Sequence, residues 1–169
     1  GIINIIKLKE AIRDDTILIT VMQANNETGT IQPVAEIADL ARANKIIFHT
    51  DAAQSAGKIK VDVRELGADM LSLAGHKLYG PKGIGALYIR SGIFPGKLMH
   101  GADHERNRRA GTENVLEIAG LGKACEIAGR DLEKNFAHMK AMRDLLFEKI
   151  SAGVKSVIRN GDPIQCLPN

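Results

Sequence analysis

Two short stretches carry the residues best suited to chemistry. In "FHTDAAQSAG", residues 48–57, Asp51 follows an apolar run and precedes only small, hydroxyl and amide side chains. In "SLAGHKLYGPKG", residues 72–83, Lys77 holds the mirror-image position after another apolar run. A carboxylate taken out of water must be paired with a cation or become neutral. A desolvated lysine faces the reverse problem and is pushed toward a nucleophilic amine.

Two arrangements satisfy both groups. One is a direct Asp51–Lys77 ion pair. The other places a pyridinium cofactor between them, with Lys77 in an imine to the aldehyde of pyridoxal phosphate. Asp51 then keeps the ring nitrogen protonated, so that the ring withdraws electrons from a substrate carbanion. Asn26 and Gln54 are suited to donate to the ring oxygen and His76 to serve the phosphate. Ala52, Ala53 and Gly75 leave room for a flat ring.

These residues need strands to position them. "TILITVM" at 16–22 is rich in β-branched residues, "KIIFH" at 45–49 reads as a fully buried strand, and "DMLSLA" at 69–74 is a third. "IGALYIR" at 84–90 follows the Gly-Pro-Lys-Gly turn as an antiparallel neighbour. Pro33 opens a predicted helix over 33–44 with Val34, Ile37, Ala38 and Ala41 on one face. Short helices are expected at 7–13 and 62–67, and longer ones at about 113–129 and 131–152, as core and connecting elements. Strands alternating with helices indicate an α/β fold with a mainly parallel sheet and flanking helices. Ligands of such sheets sit at the carboxyl ends of the strands. The loops "QANNE", "TDAAQSAG" and "GHKLYG" leave those ends. Residues 91–112 form a long polar loop. "VKSVIRN" at 154–160 is expected to be the first strand of a smaller C-terminal α+β domain, so residues 1–130 form a large domain and 131–169 a connecting helix and the start of the second.

The bulk properties remove other classes. The 169 residues are 44% apolar and 25% charged, an ordinary globular balance with a net charge of +3. Aromatics make up 4% and Trp is absent, against a base-stacking platform, so no nucleic-acid partner is expected. The basic stretch "HERNRR" at 104–109 reads as a solvated loop. "YGPKGIG" lacks the ending of a nucleotide P-loop. Lys82 lies in that turn between Pro81 and Gly83, which favours Lys77 as the reactive amine. Cys125 and Cys166 stand far apart and give neither a disulfide framework nor a zinc site. His100 and His104 are separated by Gly101, Ala102 and Asp103, unfit for a helical metal pair, so no metal is expected. No signal peptide or membrane-length apolar run is present, pointing to a cytoplasmic protein without a membrane partner. Gly1 in place of Met, and a last stretch "IQCLPN" just after a turn, suggest an interior piece of a longer chain.

"ANNETGTIQPVAEIA", "HTDAAQSAGK", "SLAGHKLYGPKGIGALY" and "HGADHERNRRAGTEN" closely resemble the cysteine desulfurases, the NifS- and IscS-like branch of fold-type I pyridoxal phosphate enzymes. The resemblance runs in order along nearly the whole chain. It implies removal of sulfur from L-cysteine to give alanine and a persulfide, passed to a sulfur-acceptor scaffold for iron–sulfur or thio-cofactor assembly. Selenocysteine lyases and other class V aminotransferase relatives share the cofactor apparatus, and a non-catalytic module is the contrasting reading. By position, Lys77 matches the Schiff-base lysine and Asp51 the partner of the pyridine nitrogen. Asn26 and Gln54 match ligands of the ring oxygen, and His76 a phosphate ligand. Thr112 matches a threonine that reaches the phosphate in the other subunit, which implies a homodimer. His104 is a candidate for the family's proton-transferring histidine. The chain departs from the pattern at Ala74, where some members carry a phosphate-binding serine. Neither Cys125 nor Cys166 matches the sulfur-accepting cysteine, and the family's N-terminal Gly-Thr phosphate loop and ring-stacking histidine have no counterpart here.

Overall fold

The computed structural model describes residues 1–169. Four strands, β1 (Leu18–Met22), β2 (Ile47–Asp51), β3 (Met70–Ala74) and β4 (Gly85–Ile89), form one sheet in the order β1-β2-β3-β4. β1, β2 and β3 are parallel, and β4 runs antiparallel to β3, as the Gly-Pro-Lys-Gly turn predicts. The parallel register aligns Met22 with Asp51, and Asp51 with Ser72. The carboxyl ends of the three strands therefore lie along one edge.

Helices α1 (Ile5–Ala11), α2 (Val34–Ala43), α3 (Val115–Arg130) and α4 (Leu132–Gly153) complete the chain. α2 buries Val34, Ile37, Ala38 and Ala41, the face expected from their spacing. Together with Ile19, Ile46, Phe48 and Ala68 they form the main core on one side of the sheet. A smaller cluster of Ala56, Leu78, Leu121 and Ala124 packs α3 against the 3-10 turn Gly75–Leu78.

Four expectations are corrected. β2 is not buried on both faces; its exposure alternates, because α2 covers Phe48 and Thr50 while Ile47, His49 and Asp51 face the open side. Residues 62–67 make a single turn, closed by Leu66 N–H on Asp62 O at 2.9 Å. So short a segment gains too few hydrogen bonds to repay helix nucleation, and Gly67 ends it at φ +64°. Residues 154–160 form no strand. Ser156 takes φ +63°, and a strand without a neighbour leaves its ladder groups unpaired. The chain pairs a little later instead, where Ile31 N–H donates to Gln165 O and Leu167 N–H to Gly29 O, both at 2.9 Å. Finally, α4 buries none of its residues, so it is not a core helix.

The long loop of residues 91–112 contains no helix or strand, as expected. Lys97, only 16% exposed, ties it together by donating to Asp103 Oδ1 at 2.7 Å and Asn107 Oδ1 at 2.8 Å. No helix is long and apolar enough to cross a membrane.

Candidate active site

Asp51 is the last residue of β2, and the chain turns immediately. Its Oδ1 accepts the Ala53 N–H at 2.8 Å, a local Asx-type bond that fixes the carboxylate. Oδ2 receives no protein donor, and no lysine or arginine is paired with it. The direct Asp51–Lys77 ion pair is thus absent.

Lys77 lies one strand over, in the 3-10 turn that continues β3. That turn needs glycine at its first position. A Cβ on Gly75 would stand 2.8 Å from both Ile84 O and Ile84 Cγ2. Tyr79 closes the turn in the left-handed region at φ 59°. Lys77 and His76 are both exposed, so the expected burial of the lysine is not met in this chain. Lys82 is exposed as well.

Lys77 lines a cleft of 280 Å³ with Lys58, Tyr79, Ala124, Ile127 and His138. Asp51, Asn26 and Gln54 lie outside that lining, so the two principal groups occupy neighbouring strand tips without sharing this cleft. Lys58 Nζ donates to Gln54 Oε1 at 3.4 Å, which leaves the amide nitrogen of Gln54 free as a donor. Burial lowers the Lys58 pKa, and the nearby Lys77 charge lowers it further. Two ammonium groups with no carboxylate partner therefore share one neighbourhood, a setting that attracts an anion.

The three strand tips are bolted together beneath these groups. Gln23 N–H donates to Asp51 O at 2.8 Å and Ala52 N–H to Ser72 O at 3.0 Å. Ser55, fully buried, donates from Oγ to the buried Gln23 Oε1 at 2.6 Å. After β1, Asn25 Oδ1 accepts the N–H groups of Glu27 and Thr28, so the loop presents an exposed Asn26. Asn26, Asp51, Gln54, His76 and Lys77 all follow from the same edge of the sheet. Thr112 and His104 belong instead to the 91–112 loop. Thr112 is exposed, and His104 Nδ1 bonds Glu113 Oε2 at 2.8 Å. Glu113 is held below the usual carboxylate range, first by its own backbone N–H and then by the His104 bond.

Three contributors escaped the sequence reading: Gln23, Ser55 and His49. His49 Nδ1 lies 2.7 Å from Thr20 Oγ1, and its Nε2 lies 2.8 Å from Ser72 Oγ. The ring thus spans β1, β2 and β3 on the face that carries Asp51. The motif His-Thr-Asp contained the signal, since residues two apart on a strand share a face.

A mainly parallel sheet with a carboxylate and a lysine on adjacent carboxyl-end loops is the arrangement of a ligand-binding α/β domain. The chain belongs to the class-V aminotransferase family, which it matches over residues 1–165. Enzymes of this family use pyridoxal phosphate. Among curated relatives, the chain is 51% identical over 169 residues to the cysteine desulfurase IscS of Methanosarcina thermophila and 47% identical to that of Dictyoglomus turgidum. In both comparisons all of this chain is covered, but only 42% and 43% of the relative. Among solved structures, a NifS-like protein superposes with a TM-score of 0.93 at 37% identity, covering 99% of this chain and 46% of its own. SspA, solved in complex with cysteine, superposes with a TM-score of 0.71 at 49% identity, covering 74% of this chain and 37% of its own.

Proposed function

We propose that this chain is the lysine-bearing part of a pyridoxal phosphate-dependent cysteine desulfurase. The observation that carries the reading is the Asp51 carboxylate, fixed at a strand tip with one oxygen free of protein donors and no cation beside it, next to the tip that bears Lys77. That donor set fits the cofactor. A free carboxylate oxygen suits a ring N–H⁺, and the Gln54 amide nitrogen suits the ring oxygen. The identity to IscS proteins supports the same reading.

When bound, pyridoxal phosphate supplies an electron sink for the substrate carbon. Asp51 holds the proton on the ring nitrogen. Lys77 would hold the cofactor through its amine, and as a free amine its Nζ would be placed to take the α-proton of the substrate. Asn26 and Gln54 orient the ring, His76 anchors the phosphate, and Thr112 reaches the phosphate of the second subunit in a homodimer. His104 moves a proton near the substrate sulfur. L-Cysteine is the substrate: a cysteine thiolate from outside these 169 residues takes its sulfur, forming the persulfide that is passed to a scaffold protein, while the C–S bond breaks and protonation of the carbon gives L-alanine. Residues 1–130 form the cofactor-binding domain, and 131–169 lead toward a smaller one, in a cytoplasmic enzyme. The structure of SspA with cysteine favours cysteine over selenocysteine as substrate. Cys166 Sγ receives Arg159 Nη2 at 3.2 Å and Arg143 Nη1 at 3.3 Å and is not assigned a catalytic role.

Borohydride reduction of the protein carrying this chain, after incubation with pyridoxal phosphate, tests the assignment. The label is expected on Lys77. Labelling confined to Lys58 or Lys82 overturns it. Alanine release from L-cysteine, measured against selenocysteine and amino-acid/keto-acid pairs, tests the substrate.

A further inference from the structure

We infer that His49 is a positioning residue for Asp51, and that by engaging the Ser72 hydroxyl it keeps one oxygen of the Asp51 carboxylate free for a ring N–H of the cofactor. The inference rests on the reading of Asp51 given above.

Ser72 is the register partner of Asp51 across the β2–β3 pair, so their side chains stand next to each other on one face. A hydroxyl beside a carboxylate has a strong alternative partner, because a charge-assisted hydrogen bond is about twice as strong as a neutral one. No bond joins Ser72 to Asp51. Ser72 Oγ instead lies 2.8 Å from His49 Nε2. Thr20 Oγ1, 2.7 Å from Nδ1, clamps the other side of the ring and stops it from swinging away. The result is a crossbar over three strands, directly behind a carboxylate whose Oδ1 is occupied by Ala53 N–H and whose Oδ2 is open.

The protonation state of the ring matters. Burial lowers the His49 pKa, and the Asp51 charge only partly opposes this. A neutral imidazole offers one acceptor nitrogen: with the proton on Nδ1 the ring donates to Thr20 Oγ1 and Nε2 receives the Ser72 hydroxyl proton, and this is the tautomer assigned to His49. An imidazolium donates from both nitrogens and has no acceptor. Ser72 must then point its own proton elsewhere, and Asp51 is the adjacent acceptor. The groups facing His49 are Thr20 on β1, Met70 and Ser72 on β3, and Asp51 on its own strand; Asp51 alone among them is charged. Acid should therefore close the free oxygen of Asp51 through Ser72.

The test uses the protein carrying this chain and measures pyridoxal phosphate affinity by absorbance, with the thermal midpoint of the cofactor-free protein as a second readout. His49→Phe keeps a flat ring but releases Ser72, and is expected to weaken cofactor binding about tenfold. Removing the competing hydroxyl as well, in His49→Phe/Ser72→Ala, should restore affinity to within about twofold of Ser72→Ala alone. A structural role for His49 predicts the opposite, since a second deletion would add to the damage. Should His49→Phe not fold, the single variant Ser72→Ala decides. Wild type should lose cofactor affinity as pH falls through the His49 titration, and Ser72→Ala should lose this limb. Unchanged affinity in His49→Phe, no rescue in the double variant, or an identical acid limb in Ser72→Ala overturns the inference. Asp51→Asn separates the two levels. If it binds cofactor as well as wild type, the reading of Asp51 itself fails; if it binds weakly while His49→Phe binds normally, only the role of His49 fails.

Discussion

At the scale of single residues, the site is a matter of which polar atoms have been left without partners. Asp51 has one bound oxygen and one free one, and the two can be separated by substitution. Asp51→Asn retains an oxygen to accept the Ala53 N–H, so the urea midpoint of the cofactor-free protein should move little. If Asp51 has the proposed role, the variant's neutral amide would no longer hold a proton on a ring nitrogen, and the proposed desulfuration should fall by about 10² or more. A large loss of stability with activity retained would reverse the assignment. His49 makes a second prediction, on pH. Its folded ring resists protonation, whereas the unfolded chain titrates near 6.5. As pH falls below that value, the unfolded state takes up a proton that the folded state refuses, so stability declines until the folded ring also protonates. Denaturant titrations over this range should show a smaller decline in His49→Gln, which keeps a polar end for Ser72 but does not titrate. The strand-tip positions of Asp51 and Lys77 were legible because each follows an apolar run, but the exposure of Lys77 was not. His49 was not, because a histidine inside a strand declares no role until its cross-strand partners are known.

At the scale of elements, backbone geometry decides what the strand tips can present. Gly75 is a point of close approach, with its own N–H donating to Ile84 O at 2.9 Å and no space for a Cβ beside that oxygen. Gly75→Ala should destabilise the protein by about 1–3 kcal/mol and displace the turn carrying Lys77, so cofactor uptake falls with the thermal midpoint. A variant with full stability and full uptake would show that the contact relaxes without consequence. The elements that sequence patterns predicted well have strong internal periodicity or a marked turn. α2 has apolar residues every three or four positions, and β4 follows a Gly-Pro-Lys-Gly reversal. Segments 62–67 and 154–160 carry suitable residues, but the first is too short to propagate as a helix and the second meets no strand to pair with. Their local composition held no record of either fact.

At the scale of the whole molecule, the chain has one well-covered side and one open side. Helix α2 seals Ile19 and Phe48, while Thr20, His49 and Ser72 bridge the opposite face. The parallel sheet was legible from alternating elements, but the uneven cover was not, since a continuous apolar run does not reveal which layers pack against it. Stability should be uneven in the same way. Amides of α2 and β2 should exchange only with global opening, whereas those of α4, which buries no side chain, should exchange much sooner. Equal protection in α4 and α2 would contradict this division.

The last residues of the chain have a part in this larger picture. Leu167 is 3% exposed and Thr30 is fully enclosed, with Asp162 N–H reaching Thr30 Oγ1 at 3.2 Å. Distant ends of the sequence thus form a clasp around the loop that displays Asn26. A displacement of this tail would be passed directly to the loop after the first strand, although more than a hundred residues separate the two in sequence.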